Sequence, residues 1–372
     1  MIETISNSSA LATRLRERIT REGPITFYDW MAAALYDPMD GYYCKAGRTR
    51  WGREGDYRTS PERSGLFAAS FAVYFAKLYA ELGSPEEWTV FEAGSGDGRF
   101  AEGFLRTLDR FFPRVFSATH YVIDEVSRQS RSAARERLRA FADRVQFRKL
   151  EDTEINCGVV FSNELLDAFP VHRIISHEGH LRELYVKVDE EGNFSWIVDA
   201  PGAGLALRST QYFQEFGVQL CEGQVAEVNL DIEEWLRKVA DRLRKGYVVT
   251  VDYGAAADEL HSPEAHRHGT LRGFQRHQFV DDLLAQPGEH DLTTTVDWSF
   301  VKSAGERLGF RVLEFERQDK FLLMNGFMEQ LAIESGRCEG EAERLSMTTA
   351  AREMILPNGM ATHFQVLVQQ KL

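Results

Sequence analysis

The 372-residue chain has only four cysteines, Cys44, Cys157, Cys221 and Cys338, and they lie far apart with no paired spacing. Neither a disulfide framework nor a cysteine-based zinc motif is expected from them. No apolar run reaches the ~20 residues that a membrane-spanning helix needs, and no charged-apolar-small stretch resembles a secretory signal. Positive charge is also short: 44 Lys and Arg face 57 Asp and Glu, a net charge of -13. That balance argues against a general binder of nucleic-acid backbones, which needs clustered cations. Arg14, Arg16, Arg18 and Arg21 alternate with Glu17 and Glu22 on a helical pattern, so they read as a helix and not as a transit peptide. A reducing cytoplasm is the expected compartment.

The hydrophobic fraction of 43% is enough for a full core, and the length predicts one large domain with insertions or two joined ones. The most informative stretch is Thr89 to Gly98, where an apolar run ends in Glu92 and three alternating glycines lead into a helical pattern at Arg99 and Phe100. Glycine is required where the backbone takes unusual dihedrals or a ligand approaches closely, so Gly94, Gly96 and Gly98 imply a group bound against the main chain. A dinucleotide turn needs a further glycine where Arg99 stands, which weakens a nicotinamide oxidoreductase reading. Glu92-x-Gly94-Ser95-Gly96-x-Gly98 instead resembles the first motif of class I S-adenosylmethionine (SAM) methyltransferases. The bland alternative is a tight structural turn.

Along the chain, Leu11, Leu15 and Ile19, then Phe27, Trp30, Met31, Ala34 and Leu35, predict two short helices, with Ser8 and Ser9 available as caps. A loop rich in aromatic, acidic and hydroxyl residues follows, including Tyr42, Tyr43, Asp56, Thr59 and Ser60. These either line a substrate site or serve as core aromatics and a helix cap. Leu66 to Leu82 reads as a buried helix. A strand at His120 to Ile123 ends in Asp124-Glu125, one of which can present its carboxylate to ribose hydroxyls, because consecutive strand residues face opposite ways. Glu151-Asp152 lies where an adenine amino group is received in such folds. A fourth strand, Gly158 to Ser162, runs into Asn163-Glu164-Leu165-Leu166-Asp167, beyond the carboxyl end of a parallel sheet, where ligands sit.

Val171 to Ala200 reads as an antiparallel insertion, Ile232 to Leu243 as a helix and Tyr247 to Val251 as a buried strand. Ala255 to Asp291 carries His261, His266, His268, His277 and His290 without metal-ligand spacing, and reads as a mobile polar lid with no metal site. Trp298 to Leu308 and Leu322 to Ile333 read as helices. Phe310 to Phe315, the segment around Phe321, and Phe364 to Gln369 read as strands.

Several words then carry a wider resemblance. Leu35-Tyr36-x-Pro38-x-x-Gly41-Tyr42-Tyr43, Gly55-Asp56-Tyr57-x-Thr59-Ser60-Pro61, Asn163-Glu164-x-x-Asp167-Ala168-x-Pro170-Val171, Asp252-Tyr253-Gly254, Gly269-Thr270-Leu271, and Asp291-x-Thr293 with Val296-Asp297 resemble the MidA-like SAM-dependent methyltransferases. Mitochondrial members of that family assist respiratory complex I assembly and methylate protein arginine. The resemblance implies an α/β fold: a class I, Rossmann-like SAM-methyltransferase sheet with a helical N-terminal cap and an inserted antiparallel and lid region. The implied division is 1–65 for cap and substrate loop, 66–177, 231–254 and 298–372 for the core, 178–230 for the antiparallel insertion and 255–297 for the lid. In that family the acid after the second strand aligns with Glu125, which selects it over Asp124. The chain departs from the family pattern at Ser95 and Asp97, where Pro and Arg are usual, at Gly103, where an acid is usual, and at Met360-Ala361-Thr362.

The expected cofactor is SAM, held by Glu92, Gly94, Ser95, Gly96, Gly98, Glu125, Asp152 and Asn163. The expected catalytic residues are Glu164, Asp167 and Asp56, with Tyr42, Tyr43, Thr59 and Ser60 lining the substrate. Paired carboxylates suit a guanidinium, whereas a carboxylate acceptor would call on Arg48, Arg50, Arg53 and Arg58 instead. The expected partners are a protein substrate and a second copy of the chain, with no nucleic acid. The rival reading is a non-catalytic assembly protein that keeps the fold.

Overall fold

A computed structural model describes residues 9–47, 65–276, 278–356 and 363–372. Asp56, Thr59, Ser60, the arginines from Arg48 to Arg58, His277 and Met360-Ala361-Thr362 lie outside the described residues.

The alternating and apolar runs read from the sequence become the strands β1 (Ile25–Thr26), β2 (Trp88–Ala93), β3 (Thr119–Asp124), β4 (Val145–Phe147), β5 (Ile155–Asn163), β6 (His172–His177), β7 (His180–Val188), β8 (Phe194–Asp199), β9 (Val225–Val228) and β10 (Leu243–Ala255). After β10 come β11 (Arg272–Gln275), β12 (Gln278–Phe279), β13 (Asp291–Thr293), β14 (Val296–Asp297), β15 (Arg311–Arg317) and β16 (Phe364–Lys371). The principal sheet runs β15-β16-β10-β5-β2-β3-β4. Pairings from β10 through β5, β2 and β3 to β4 are parallel, and β16 alone runs against both of its neighbours. The chain winds outward from β2 to β4 and then returns to β5, so the topological switch lies between the carboxyl ends of β2 and β5. Ligands of open α/β sheets bind at that crevice.

Both faces of this sheet are covered, which is why its central strands are apolar throughout. On one face the helices Gly65–Glu81 and Arg99–Phe111 bury an aromatic cluster, with Phe100 stacked on Phe161 at 4.2 Å and Phe71 against Phe161 at 5.3 Å. Each such side chain, fully buried, contributes roughly 1.5–3 kcal/mol of transfer free energy. On the other face Leu236, Val239, Phe300 and Val301 of the helices Asp231–Arg242 and Trp298–Arg307 pack on Val160, Val248 and Leu367.

A second, antiparallel sheet of β1, β7, β6 and β9, with β8 on β7, starts at His172 and takes its edge from Ile25–Thr26. It therefore extends beyond 178–230 and is joined to the N-terminal helices by backbone pairing. Those helices, Ala10–Glu22 and Phe27–Tyr36, are capped by Ser9, which accepts from the Ala12 N–H, and Thr26, which accepts from the Asp29 N–H. Leu11, Leu15, Phe27, Trp30 and Leu35 share one core with Val171, Val186, Phe194 and Leu292.

Four readings differ from the structure. The segment around Phe321 is helical (Gln318–Met324), because Phe321 inserts against Phe71 and Tyr74 at 5.1 and 4.7 Å. The helix expected over 322–333 is split at Asn325 and Gly326, whose φ of 80° only glycine takes freely. A helix, Ala203–Glu215, stands within the region read as antiparallel. The histidine-rich stretch is packed, not a free lid: β11 pairs with β12 and β13, and His261 and His290 are buried.

Candidate active site

The carboxyl end of β2 feeds the turn Gly94 to Gly98, and all three of its glycines have positive φ, at 71°, 55° and 80°. A side chain there would be strained, and at Gly98 an added Cβ would lie 3.0 Å from the Ala134 Cβ of the helix Arg128–Arg137. At Gly94 the Cβ would lie 3.0 Å from a Leu165 methyl. The turn is thus wedged between the helix after β3 and the loop after β5. Its amides are also anchored: Gly94 N–H donates to the Asp124 carbonyl at 2.8 Å, and Gly96 N–H donates to Glu125 Oε2 at 2.9 Å.

Glu125 is buried at 8% exposure, and its second oxygen accepts from the Ser127 N–H at 2.7 Å. A carboxylate accepts several hydrogen bonds, which is the chemistry that ribose hydroxyls call for. Asp124 turns the other way and accepts from the Leu150 N–H at 3.0 Å. Burial pushes its carboxyl up. Glu92 is 4% exposed, inside the sheet, where Tyr121 Oη donates to it at 2.8 Å. Burial, with Glu125 and Asp97 nearby, pushes its carboxyl up to about 8, against the Tyr121 hydrogen bond. Ser95 is buried, whereas Asp152 is exposed in the turn Leu150–Asp152.

At the end of β5, Asn163 Nδ2 donates to Glu164 Oε1 at 3.0 Å. Glu164 has φ 51°, uncommon for a residue with a side chain, and its N–H is held by the Val251 carbonyl at 2.9 Å. The following loop is shaped by Asp252, at the carboxyl end of β10, whose Oδ2 accepts from the N–H groups of Leu165 and Leu166 at 3.2 and 3.0 Å. Burial and the neighbouring Asp167 and Glu164 push the Asp252 carboxyl up, against the pull of these donors. Burial also raises Asp167 to about 6, and the nearby Tyr253 hydroxyl and Arg272 guanidinium offset part of that. Among the described residues, Asp167 Oδ1, Asn163 Oδ1, Arg272 Nε and Thr293 Oγ1 are buried without a hydrogen-bond partner. Buried polar atoms of this kind are seldom left unmet in a native protein, so they suit a site that receives polar groups.

The N-terminal segment closes the same end of the sheet. Tyr36 Oη donates to the Ala168 carbonyl at 2.9 Å, and burial and the acids Asp291, Asp167 and Glu125 push its hydroxyl up strongly. Tyr43 Oη donates to Asp291 at 2.7 Å, and its ring stacks on Tyr36 at 5.5 Å. Tyr42 is a correction to the sequence reading: it is fully buried among the N-terminal core residues and lines no open surface. Asp252, Tyr253, Arg272 and Tyr36 were not among the expected site residues. The words Asp252-Tyr253-Gly254 and Leu35-Tyr36 were the only signal for three of them, and Arg272 had none.

The glycine turn with Glu125 and the unmet Asn163 oxygen fits an amino-acid nucleoside such as SAM: open backbone, a ribose acceptor and a polar end. Comparison with known proteins agrees. A family model described as S-adenosyl-L-methionine-dependent methyltransferase matches residues 70–316. The chain is 27% identical over 332 residues to the "Protein arginine methyltransferase NDUFAF7 homolog, mitochondrial" of Drosophila melanogaster, covering 82% of this chain and 72% of that one. It is 25% identical to the Xenopus tropicalis protein named "Protein arginine methyltransferase NDUFAF7, mitochondrial", covering 80% and 71%. A Burkholderia thailandensis protein solved with S-adenosyl-homocysteine bound superposes with a TM-score of 0.86 at 29% identity, over 98% of this chain and 92% of that one.

Proposed function

We propose, from the premise that this chain belongs to the S-adenosyl-L-methionine-dependent methyltransferase family whose model it matches, that it methylates a protein side chain and that the acceptor is an arginine guanidinium. The observation that carries the acceptor class is the paired acid loop: Glu164, in its left-handed conformation, and Asp167 stand on one short turn that Asp252 organises. The names of the relatives point to the same acceptor.

When bound, SAM supplies an electrophilic methyl group on a sulfonium. Gly94, Gly96 and Gly98 admit its amino-acid and ribose portions against the main chain, with Ser95 in the same turn. Glu125 accepts from the ribose hydroxyls and Asp152 receives the adenine amino group, while Asn163 meets the polar end. Glu92 keeps the base of the turn in shape through Tyr121. Glu164 and Asp167 hold the guanidinium plane by charge-assisted hydrogen bonds and aim one nitrogen toward the methyl. Asp56, Thr59 and Ser60 belong to the same reading as contacts from the preceding loop, and Tyr43, tied to Asp291, borders the substrate.

None of the four cysteines is in a disulfide. No described helix is long and apolar enough to cross a membrane. The absence of a disulfide fits a thiol-reducing compartment, the cytoplasm or, as the relatives' names indicate, the mitochondrial interior. The partners in this reading are the protein substrate and a second copy of the chain.

The test is Glu164→Gln, which keeps the size of the side chain and removes its charge. Transfer of labelled methyl from SAM into protein should fall at least about a hundredfold, because acceptor orientation is lost, while S-adenosylhomocysteine still binds. Unchanged transfer would sink the assignment.

A further inference from the structure

Asp97 and Gly103 are two of the positions at which this chain leaves the usual family pattern, and the structure gives them a common setting. Asp97 sits at the back of the glycine turn, 19% exposed. The Arg137 guanidinium reaches it from the last turn of the helix Arg128–Arg137: Nε donates to the Asp97 carbonyl and Nη2 to Asp97 Oδ2, both at 2.9 Å. Nη1 donates to Glu102 Oε2 at 3.3 Å, so one side chain spans the turn and the helix it opens. Arg99 adds a second cation, donating from Nε to Asp97 Oδ2 at 3.0 Å. Glycine at 103 allows that helix to approach Ala68, whose Cβ would be 2.9 Å from an added Cβ.

The helix that carries Arg137 begins at the ribose acid. Glu125 fixes the Ser127 N–H, the Ser127 hydroxyl caps the helix by accepting from the Ser130 N–H at 3.3 Å, and Ala134 fills the space beside Gly98. At the far end Arg137 grips Asp97. The segment is therefore fastened at both ends to the same glycine turn: through Glu125 to the Gly96 N–H at one end, through Arg137 to the Asp97 main chain at the other.

We infer that Arg137 is a positioning residue for SAM, holding the Gly94 to Gly98 turn in its binding shape through Asp97 although it touches no cofactor atom. The fork, not the charge alone, does this, because a carbonyl and a carboxylate must be met at once by nitrogens of fixed spacing. The inference rests on the reading that this turn holds SAM.

Calorimetric titration of the full chain with S-adenosylhomocysteine tests it, beside the unfolding midpoint of the unliganded protein. Arg137→Met keeps the apolar stem and loses the fork, and its dissociation constant should rise about tenfold or more, the scale of lost hydrogen bonds to a charged group. Arg137→Lys should fall between Met and the original chain. Asp97→Asn, which retains the carbonyl contact, should weaken binding less than Arg137→Met. If the Met variant does not fold, the Lys variant decides by the same measure. Affinity within about twofold of the original in a folded variant, less than one hydrogen bond is worth, overturns the inference. So does a lowered midpoint with unchanged affinity, which is what a merely structural brace would give. Failure of the original chain to bind S-adenosylhomocysteine would instead remove the SAM reading itself.

Discussion

Glu92 is a buried carboxyl near the site whose behaviour with pH follows chiefly from burial, with Glu125 and Asp97 adding to it. Its carboxyl is raised from 4.5 to about 8, so the folded protein keeps a proton there that the unfolded chain releases. Stability from this group is complete below about pH 4.5 and is lost as pH rises through about 8. The total is on the order of 5 kcal/mol, since one pKa unit is worth about 1.4 kcal/mol. Glu92→Gln, whose amide oxygen still accepts from Tyr121, should therefore match the original chain in urea unfolding near pH 5 and exceed it near pH 9. A gap that shrinks with rising pH would contradict this account. At this scale the parallel pattern made the ends of β3 and β5 legible as the place where Asp124-Glu125 and Asn163-Glu164 stand, and the choice of Glu125 over Asp124 came from the family resemblance. Arg137 and Arg272 were not legible, because they reach partners about 20 to 40 residues away, such as Asp97, Glu102 and Thr295, by a path that no local pattern encodes.

The elements hold together through close backbone approaches that glycine alone permits. Gly158 of β5 and Gly246 of β10 are paired in register, and a Cβ at Gly246 would stand 1.9 Å from the Gly158 carbonyl oxygen. Because backbone must move to relieve that clash, Gly246→Ala should cost at least about 3 kcal/mol, the upper range of overpacking. Gly204→Ala, in a helix with open space around the position, should gain about 0.5–1 kcal/mol by restricting the unfolded chain. Thermal unfolding of the two variants checks both signs, and a neutral Gly246→Ala would refute the packing argument. The apolar runs of Trp88–Ala93 and Gly65–Glu81 and the one-sided periodicity of Arg99–Phe111 were readable, since burial leaves a local pattern. Gln318–Met324 was not, for its apolar residues are too few to separate strand from helix until Phe321 meets Phe71. The histidine-rich stretch looked mobile because its order comes from distant partners: His261 Nε2 meets Tyr212 Oη at 2.7 Å, and burial lowers the ring to about 4.

Taken whole, the N-terminal cap and the inserted sheet are one body, which their separation in sequence hid. β1 pairs with β7 across some 160 residues, and Trp30, fully buried, packs against Phe194. Trp30→Ala should destabilise the protein by roughly 3–5 kcal/mol and keep a single unfolding transition in denaturant. Two separated transitions would show that cap and insertion fold apart. This shared core also brings Tyr36 beside Ala168, Asp167 and Glu125 and Tyr43 onto Asp291, so the proposed site has acids of the Rossmann-like sheet on one side and aromatics of the cap on the other.

The central claim is that the donor turn and the acid loop meet at one acceptor, an arginine side chain. Labelled methyl from SAM should be followed into a lysate's proteins, which are then hydrolysed to amino acids, with Glu164→Gln run in parallel. The account predicts label in methylarginine with the original chain and at least about a hundredfold less with the variant. Label confined to another amino acid, or equal label in methylarginine from both chains, would contradict it.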